Sequence, residues 1–586
     1  LFTNRWKNLR LKDYINSEMK IILSLLFIGL TVFNYSCRYQ KLGIDGYWQA
    51  TFSDPVENPE QYLEIRNSHN RLTINIDEPA EDWYNIPGEK SSFHNDSLHF
   101  ERFWGLEKYD GIVLPGDSQI MGIKLIKNRQ PVSYIIRKTN RKSVFKVPRS
   151  GPDGEQILKY KYTKPVEHHD QFMCATLEDV GIDSVKIYEL IGKILSGQIP
   201  NIHSLLILKD DKLVLEEYFY GYSAGRSHRV HSVTKSIASA LIGIALDKKL
   251  IQSVNEPVWK YFTDWNKTKW IEEKYDIKIE HLLSMSAGLD WKGLTLNESN
   301  DDMDMYAADD YYEYVLNKNQ RFNPGSNFCY NNGLSLMLGH ILEKASGIAI
   351  DSFARKNLFN YLNITSYSFD VDQNGVTRLD GGLKMRPRDM LSFGFLYLNN
   401  GEWNGEQILK ENWIKNSTSQ KMNLNDRGYA YHWWTMDYIV NGKVCKTYYA
   451  LGHGEQAIIV VPDAKLVFVM TAGNYMQVEK RPFEIMSQYI LPSLKPGNNK
   501  DNVCLSAFQG EYQINQTESI TVVVVDNNLV AADPAGVKLR LIRKSDFTFM
   551  TEDKSREIHF ITDNKGEICY AEIFADGQKK ETLKKK

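Results

Sequence analysis

Ser232-Val233-Thr234-Lys235-Ser236-Ile237-Ala238-Ser239-Ala240-Leu241-Ile242-Gly243-Ile244-Ala245-Leu246 is the strongest buried-helix pattern in the chain, with Ile237, Leu241 and Ile244 recurring at helical spacing. It opens on S-x-x-K. An i, i+3 spacing at a helix start stacks the Ser232 hydroxyl and the Lys235 amine on one face, within reach of each other. A serine hydroxyl is a poor nucleophile until a base takes its proton, and a lysine helps when desolvation or neighbouring cations lower its pKa. The helix start adds free N–H groups and positive potential where an oxyanion would form. The same residues also read as an N-cap serine with a solvated lysine one turn on. S-x-x-K alone does not choose between these, because it recurs at Ser17/Lys20 and Ser143/Lys146, in a leader and in a polar basic stretch.

Two blocks further along argue for chemistry. Tyr330-Asn331-Asn332 follows the loop signal Asn323-Pro324-Gly325 and precedes the apolar helix Gly333-Leu334-Ser335-Leu336-Met337-Leu338-Gly339. Ala450-Leu451-Gly452-His453-Gly454-Glu455-Gln456 leads into the strand Ala457 to Val461, with Pro462 after it. A competing motif, Gly221-Tyr222-Ser223-Ala224-Gly225, matches GxSxG, but a nucleophile elbow needs a helix immediately after the serine. Arg226-Ser227-His228-Arg229 follows instead, so this stretch reads as a turn leaving a hairpin. His168-His169-Asp170 lacks spaced-ligand geometry, and no metal is expected. His231 reads as packing, and Trp433-Trp434 as cleft or core with equal weight.

Together the three blocks resemble the serine β-lactamase and penicillin-binding-protein family, in its class C, esterase and 6-aminohexanoate-oligomer hydrolase branch. The likeness covers about Asp183 to Gly473 and includes His281-Leu282-Leu283-Ser284-Met285-Ser286-Ala287-Gly288-Leu289. It implies an α/β (α+β) hydrolase domain, an antiparallel sheet flanked by helices, with its third motif on an edge strand. It implies Ser232 as the acylated nucleophile and Lys235 as the group that keeps its proton mobile. Tyr330 would be the phenolic base and then the acid to the leaving group. Asn332 would hold the substrate carbonyl or the Lys235 ammonium, and the N–H groups of Ser232 and His453 would form the oxyanion hole, with Gly452 permitting close approach. No cofactor is implied. Where penicillin-recognising members carry Lys-Thr-Gly, this chain has Ala450-Leu451-Gly452. The missing cation and hydroxyl favour an amidase or esterase over a β-lactamase or DD-peptidase. A non-catalytic ligand-binding or sensor lipoprotein is the reading from another class.

Gly46 to about Arg137 has period-two patterning (Leu72, Ile74, Ile76; Leu98, Phe100; Met121, Ile123, Leu125; Val132, Tyr134, Ile136), as expected of an all-β barrel or sandwich. Ala507 to Lys586 returns to strands, with turns at Asp526-Asn527-Asn528 and Asp563-Asn564-Lys565-Gly566. Both β modules resemble the lipocalin-like appendages fused to such hydrolases. The expected organisation is a leader and signal over 1–37, a β module over 38–148, a linker over 149–170, the hydrolase over 171–495, a linker over 496–503 and a β module over 504–586.

Met19-Lys20 precedes the apolar run Ile21 to Phe33, which is too short to span a bilayer and reads as a signal-peptide h-region, with Met19 as the expected first residue. Asn34-Tyr35-Ser36-Cys37 resembles a bacterial lipoprotein signal, implying acylation of Cys37 and a lipid anchor in the cell envelope, facing periplasm or exterior; ordinary secretion is the alternative. The other five cysteines are scattered and odd in number, which suggests no disulfide framework. The 586 residues carry 71 Lys plus Arg against 73 Asp plus Glu, a net charge of -2, so no electrostatic footprint for nucleic acid exists. The expected partner is a small-molecule or peptide-like amide or ester.

Overall fold

The computed structural model describes residues 44–586 apart from 56–57, 69–70, 82, 117, 128, 141–146, 152, 154, 169–171, 264, 266–275, 294–299, 373, 426, 441–442, 476–479, 495–504, 516, 526–527, 545–547 and 563–567. The expected leader, Cys37, Cys504, His169, Asp170, the 496–503 linker and most of the two C-terminal turns lie outside the described residues. Cys174, Cys329, Cys445 and Cys569 are in no disulfide among the described residues. Among the described residues no helix is long and apolar enough to cross a membrane.

The central sheet is antiparallel through Lys212–Tyr218, Ile202–Lys209, Leu466–Ala472, Gln456–Val461, Lys443–Gly452, Trp434–Val440, Gly428–Tyr429 and Met422–Asn423. Its middle strands are apolar without alternation because both faces are covered. Leu206, Leu208, Ile458, Val460, Val467 and Val469 point into one core with the helices Val233–Asp247, Asn332–Ser346 and Pro387–Leu398. Leu205, Ile207, Ala457, Ile459, Phe468 and Met470 point into the other, against Ser184–Leu195 and the segment Arg481–Ile485 to Leu491–Ser493. Asp183 caps the helix Ser184–Leu195, its carboxylate accepting from Val185 N at 3.0 Å.

The N-terminal strands form one nine-stranded antiparallel sheet whose edges, Trp83–Pro87 and Glu89–His94, are consecutive in the chain. Trp48, Ile65, Ile76, Phe100, Ile120 and Ile136 fill its interior. One strand faces opposite to the expected sense: Met121 and Ile123 are exposed, while Ile120 and Lys124 are buried. The reason is polar pairing inside the sheet, where Lys124 Nζ lies 2.7 Å from Glu107 and Arg102 lies 2.9 Å from Glu78. The C-terminal strands run up and down from Gly510–Gln513 to Gln578–Lys585, and these two pair at Tyr512↔Lys585 to close an eight-stranded barrel.

The N-terminal sheet rests on the helix-flanked unit. Tyr84 meets His203 and Tyr222 edge-on, and its hydroxyl accepts from Arg226 at 3.2 Å. Lys127 pairs with Asp304. From the expected linker, Arg149 and Tyr160 reach Glu217 at 2.6 and 2.7 Å, and Tyr162 OH donates to Val214 O at 2.8 Å, on the strand Lys212–Tyr218.

Candidate active site

Gly221 to Gly225 is a turn after Lys212–Tyr218, with Gly221 at φ 76° and no helix behind Ser223. The GxSxG serine therefore has no elbow to stand on.

Ser232 stands at the start of Val233–Asp247 with helical φ and ψ of -65° and -5°, and its side chain makes no capping hydrogen bond. The hydroxyl is thus left for something other than a cap. Lys235 Nζ donates to Ser232 Oγ at 3.0 Å and to Asp380 O. The lysine is 1 % exposed, whereas Ser232 is half-buried, so the amine is desolvated and the hydroxyl can be reached.

Tyr330 closes the arrangement from the other side. Lys235 Nζ sits 5.0 Å from the centroid of its ring. The ring stacks on Trp434 at 5.9 Å and 15°, and meets Tyr429 edge-on at 6.3 Å. Trp433 is fully buried among Phe393, Tyr397 and Tyr448. The tryptophan pair is therefore split, one ring in the core and one beside Tyr330. Asn331 N donates to Met285 Sδ at 3.4 Å and its side chain caps the next helix by accepting from Gly333 N at 2.8 Å. That explains how the chain turns from Tyr330 directly into Asn332–Ser346. Asn332 is buried with Oδ1 making no hydrogen bond among the described residues, so it does not hold the Lys235 ammonium here.

The third block forms the hairpin turn between Lys443–Gly452 and Gln456–Val461, with Glu455 N donating to Gly452 O at 3.1 Å. The strand is not an edge along its length: Trp434–Val440 pairs with it up to Trp434↔Tyr449. Beyond that point Ala450, Leu451 and Gly452 pair only with Ile458, Ala457 and Gln456, so the motif itself is a local edge. A Cβ on Gly452 would lie 2.2 Å from Val230 O, which places this turn against the segment entering Ser232. His453 is half-buried, its ring 5.8 Å from His231 and 5.3 Å from Tyr475. His231 takes a left-handed φ of 48° and its Nε2 is buried without a partner among the described residues. Burial first, then His453 and Arg229, holds its pKa well below the usual imidazole value, so the ring is neutral.

Several residues were illegible in the sequence. Asp380 is buried and gathers Arg378, through two hydrogen bonds of 2.8 Å, and Tyr306 OH at 2.6 Å. Burial would raise its pKa, but Arg378 and Lys235 bring it below the ordinary aspartate value, so it is ionised. Asp302, on the helix Asp301–Tyr306, accepts from Asn332 N at 3.1 Å. His432 bridges the helices, its carbonyl accepting from Ser236 Oγ at 2.7 Å and its ring meeting Ser335 Oγ at 3.1 Å. Gly381-Gly382, beside Asp380, was a local signal of a tight turn: a Cβ on Gly382 would lie 2.4 Å from Arg378 Cβ.

Residues 194–484 match the family model described as Beta-lactamase. The 6-aminohexanoate-dimer hydrolase of Paenarthrobacter ureafaciens is 21% identical over 255 residues, 39% of this chain and 63% of that protein, so the chain spans less than two thirds of this curated relative. Among solved structures, the octameric penicillin-binding protein homologue from Pyrococcus abyssi superposes with a TM-score of 0.41 and 16% identity, over 68% of this chain and 99% of that one. EstCE1, a hydrolase with promiscuous acyltransferase activity, superposes with a TM-score of 0.44 and 14% identity, over 52% and 98%. Over residues 194–484, the chain carries a Beta-lactamase family domain.

Proposed function

We propose that the protein is a serine hydrolase that cleaves an amide or ester through an acyl-enzyme on Ser232, in the manner of the 6-aminohexanoate-dimer hydrolase and esterase branch that its motifs resemble. The observation that carries this reading is the 3.0 Å contact between a buried Lys235 amine and a Ser232 hydroxyl that caps nothing. Lys235, with Tyr330 beside it, takes the hydroxyl proton as Oγ attacks the carbonyl carbon. The N–H groups of Ser232 and His453 meet the oxyanion, Tyr330 gives its phenolic proton to the leaving amine or alcohol and is reprotonated by the Lys235 ammonium, and water repeats the sequence on the acyl-enzyme. A pure binding protein has no chemical need for all three side chains.

Labelling the full chain with a fluorophosphonate, against a Ser232→Ala control, tests this directly. A covalent adduct on Ser232 together with turnover of p-nitrophenyl esters or of the linear 6-aminohexanoate dimer is the expected result. Absence of both sinks the reading and favours a ligand-binding protein. The sequence pattern also supports a proposal that Cys37 is the acylated mature N-terminus; intact-mass analysis that finds an unmodified N-terminus downstream of Cys37 overturns it.

A further inference from the structure

One buried carboxylate beside the Ser232 site has no part in the mechanism above. Asp302 is fully buried, its Oδ1 accepts the Asn332 N–H at 3.1 Å, and its Oδ2 has no partner among the described residues. The Oδ1 of Asn332 is likewise buried and unpartnered. A buried acceptor without a donor is destabilising, more so when charged, so two together mark a place where function has overridden stability.

The groups facing Asp302 come from several elements; Tyr306 on its own helix, Tyr314 on the helix Tyr311–Leu316 and Cys329 are neutral neighbours that feel its charge. Lys235 on Val233–Asp247 favours the charged carboxylate, as does the Asn332 main chain; Asp380, preceding Leu383–Met385, and Asp301 on its own helix oppose it. Asp380 is ionised and paired with Arg378, with Tyr306 OH donating to it, so its charge opposes that of Asp302 only in part. Burial is the largest influence and pushes the Asp302 carboxyl up to about 7.

We propose that Asp302 is a positioning residue for the Ser232–Lys235 pair: it anchors the Asn332 end of the helix Asn332–Ser346 through the main chain, and its charge sets how firmly Lys235 holds a proton. This rests on the acyl-enzyme reading given above. With Asp302 ionised the ammonium form of Lys235 is favoured; with Asp302 neutral the free amine is favoured. An asparagine keeps the acceptor for Asn332 N–H and removes only the charge. An alanine removes both.

The test is the pH profile of Ser232 acylation by a fluorophosphonate, and of ester kcat/KM, in wild type, Asp302→Asn and Asp302→Ala. Asp302→Asn should move the profile to lower pH by about half a unit or more with KM little changed, while Asp302→Ala should also raise KM. Superimposable profiles for wild type and Asp302→Asn overturn the proposal, including the case where Asp302→Ala alone loses activity, which leaves a purely structural anchor. Thermal melting keeps the idea testable if Ser232 takes no label. A folded-state pKa above the unfolded value stabilises at low pH and is lost as pH rises towards the folded value, so the Tm of Asp302→Asn relative to wild type should increase between about pH 4 and pH 8. A pH-independent difference overturns the charge assignment, whereas missing label with the expected melting trend refutes only the acyl-enzyme reading.

Discussion

Replacing Gly452 by alanine should disable the site while leaving the fold standing. The added Cβ would sit 2.2 Å from the Val230 carbonyl oxygen, 3.1 Å from Gln456 Cβ and 3.2 Å from His231 Cβ. The first contact is with backbone and cannot be relieved by a rotamer change. The turn carrying His453 must therefore withdraw from the segment entering Ser232 by about 1 Å to restore ordinary van der Waals separation. Overpacking of this kind costs about 1–3 kcal/mol of stability. The larger effect should be on rate, because a misplacement of about 1 Å can cost about 100-fold when reacting groups must meet an oriented donor pair. Stopped-time p-nitrophenyl ester assays should show kcat down by about two powers of ten, with far-UV circular dichroism unchanged. Gly347→Ala is the control: Gly347 has φ 71°, ends the helix Asn332–Ser346 far from Tyr330, and a Cβ there meets nothing within 4 Å. It should lose about 1 kcal/mol and no activity. If Gly452→Ala melts lower but keeps kcat within about threefold of wild type, the close approach is only packing and the oxyanion assignment for His453 is wrong.

Tyr330→Phe should fold normally and lower kcat by about two to four powers of ten, the usual worth of a positioned proton-transfer group; full activity on every parent substrate would remove Tyr330 from the mechanism. Without the Lys-Thr-Gly cation, p-nitrophenyl esters should be turned over faster than nitrocefin, and a charge-assisted contact of about 1.5–3 kcal/mol sets the size of the handicap at one to two powers of ten; efficient nitrocefin hydrolysis with no ester turnover refutes this. Burial holds the His203 and His432 pKa values well below the usual imidazole range. The unfolded chain therefore takes up these protons first as pH falls below about 6.5, and each ring removes stability at up to about 1.4 kcal/mol per pH unit, with Asp302 working in the opposite sense. Tm should fall from about pH 6.5 to pH 5, less steeply in His432→Gln; equal slopes in the two proteins would refute the assignment.

That Ser232, Lys235 and Tyr330 belong to one candidate site could be read directly from the chain, because a helix start with S-x-x-K and a tyrosine preceding a capped apolar helix are local patterns that survive without knowing the fold. The sheet flanked by helices was implied by the resemblance of the motifs, but that Ile202–Lys209, Gln456–Val461 and Leu466–Ala472 feed two cores, one on each face, came from the structure. Face assignment on Gln119–Ile126 was not legible either: hydrophobicity pointed to Met121 and Ile123, but the inward lysine is stabilised by Glu107, whose position depends on a neighbouring strand. The burial and partners of Asp302, Asp380, Arg378 and His432 came only from tertiary structure. Their spacing to Ser232 has no period, and a carboxylate or imidazole becomes chemically unusual only when folding strips its water and brings a specific charge beside it. Local geometry along one helix is encoded in adjacent residues, whereas desolvation and electrostatics at the site are sums over segments that meet only once the chain has packed.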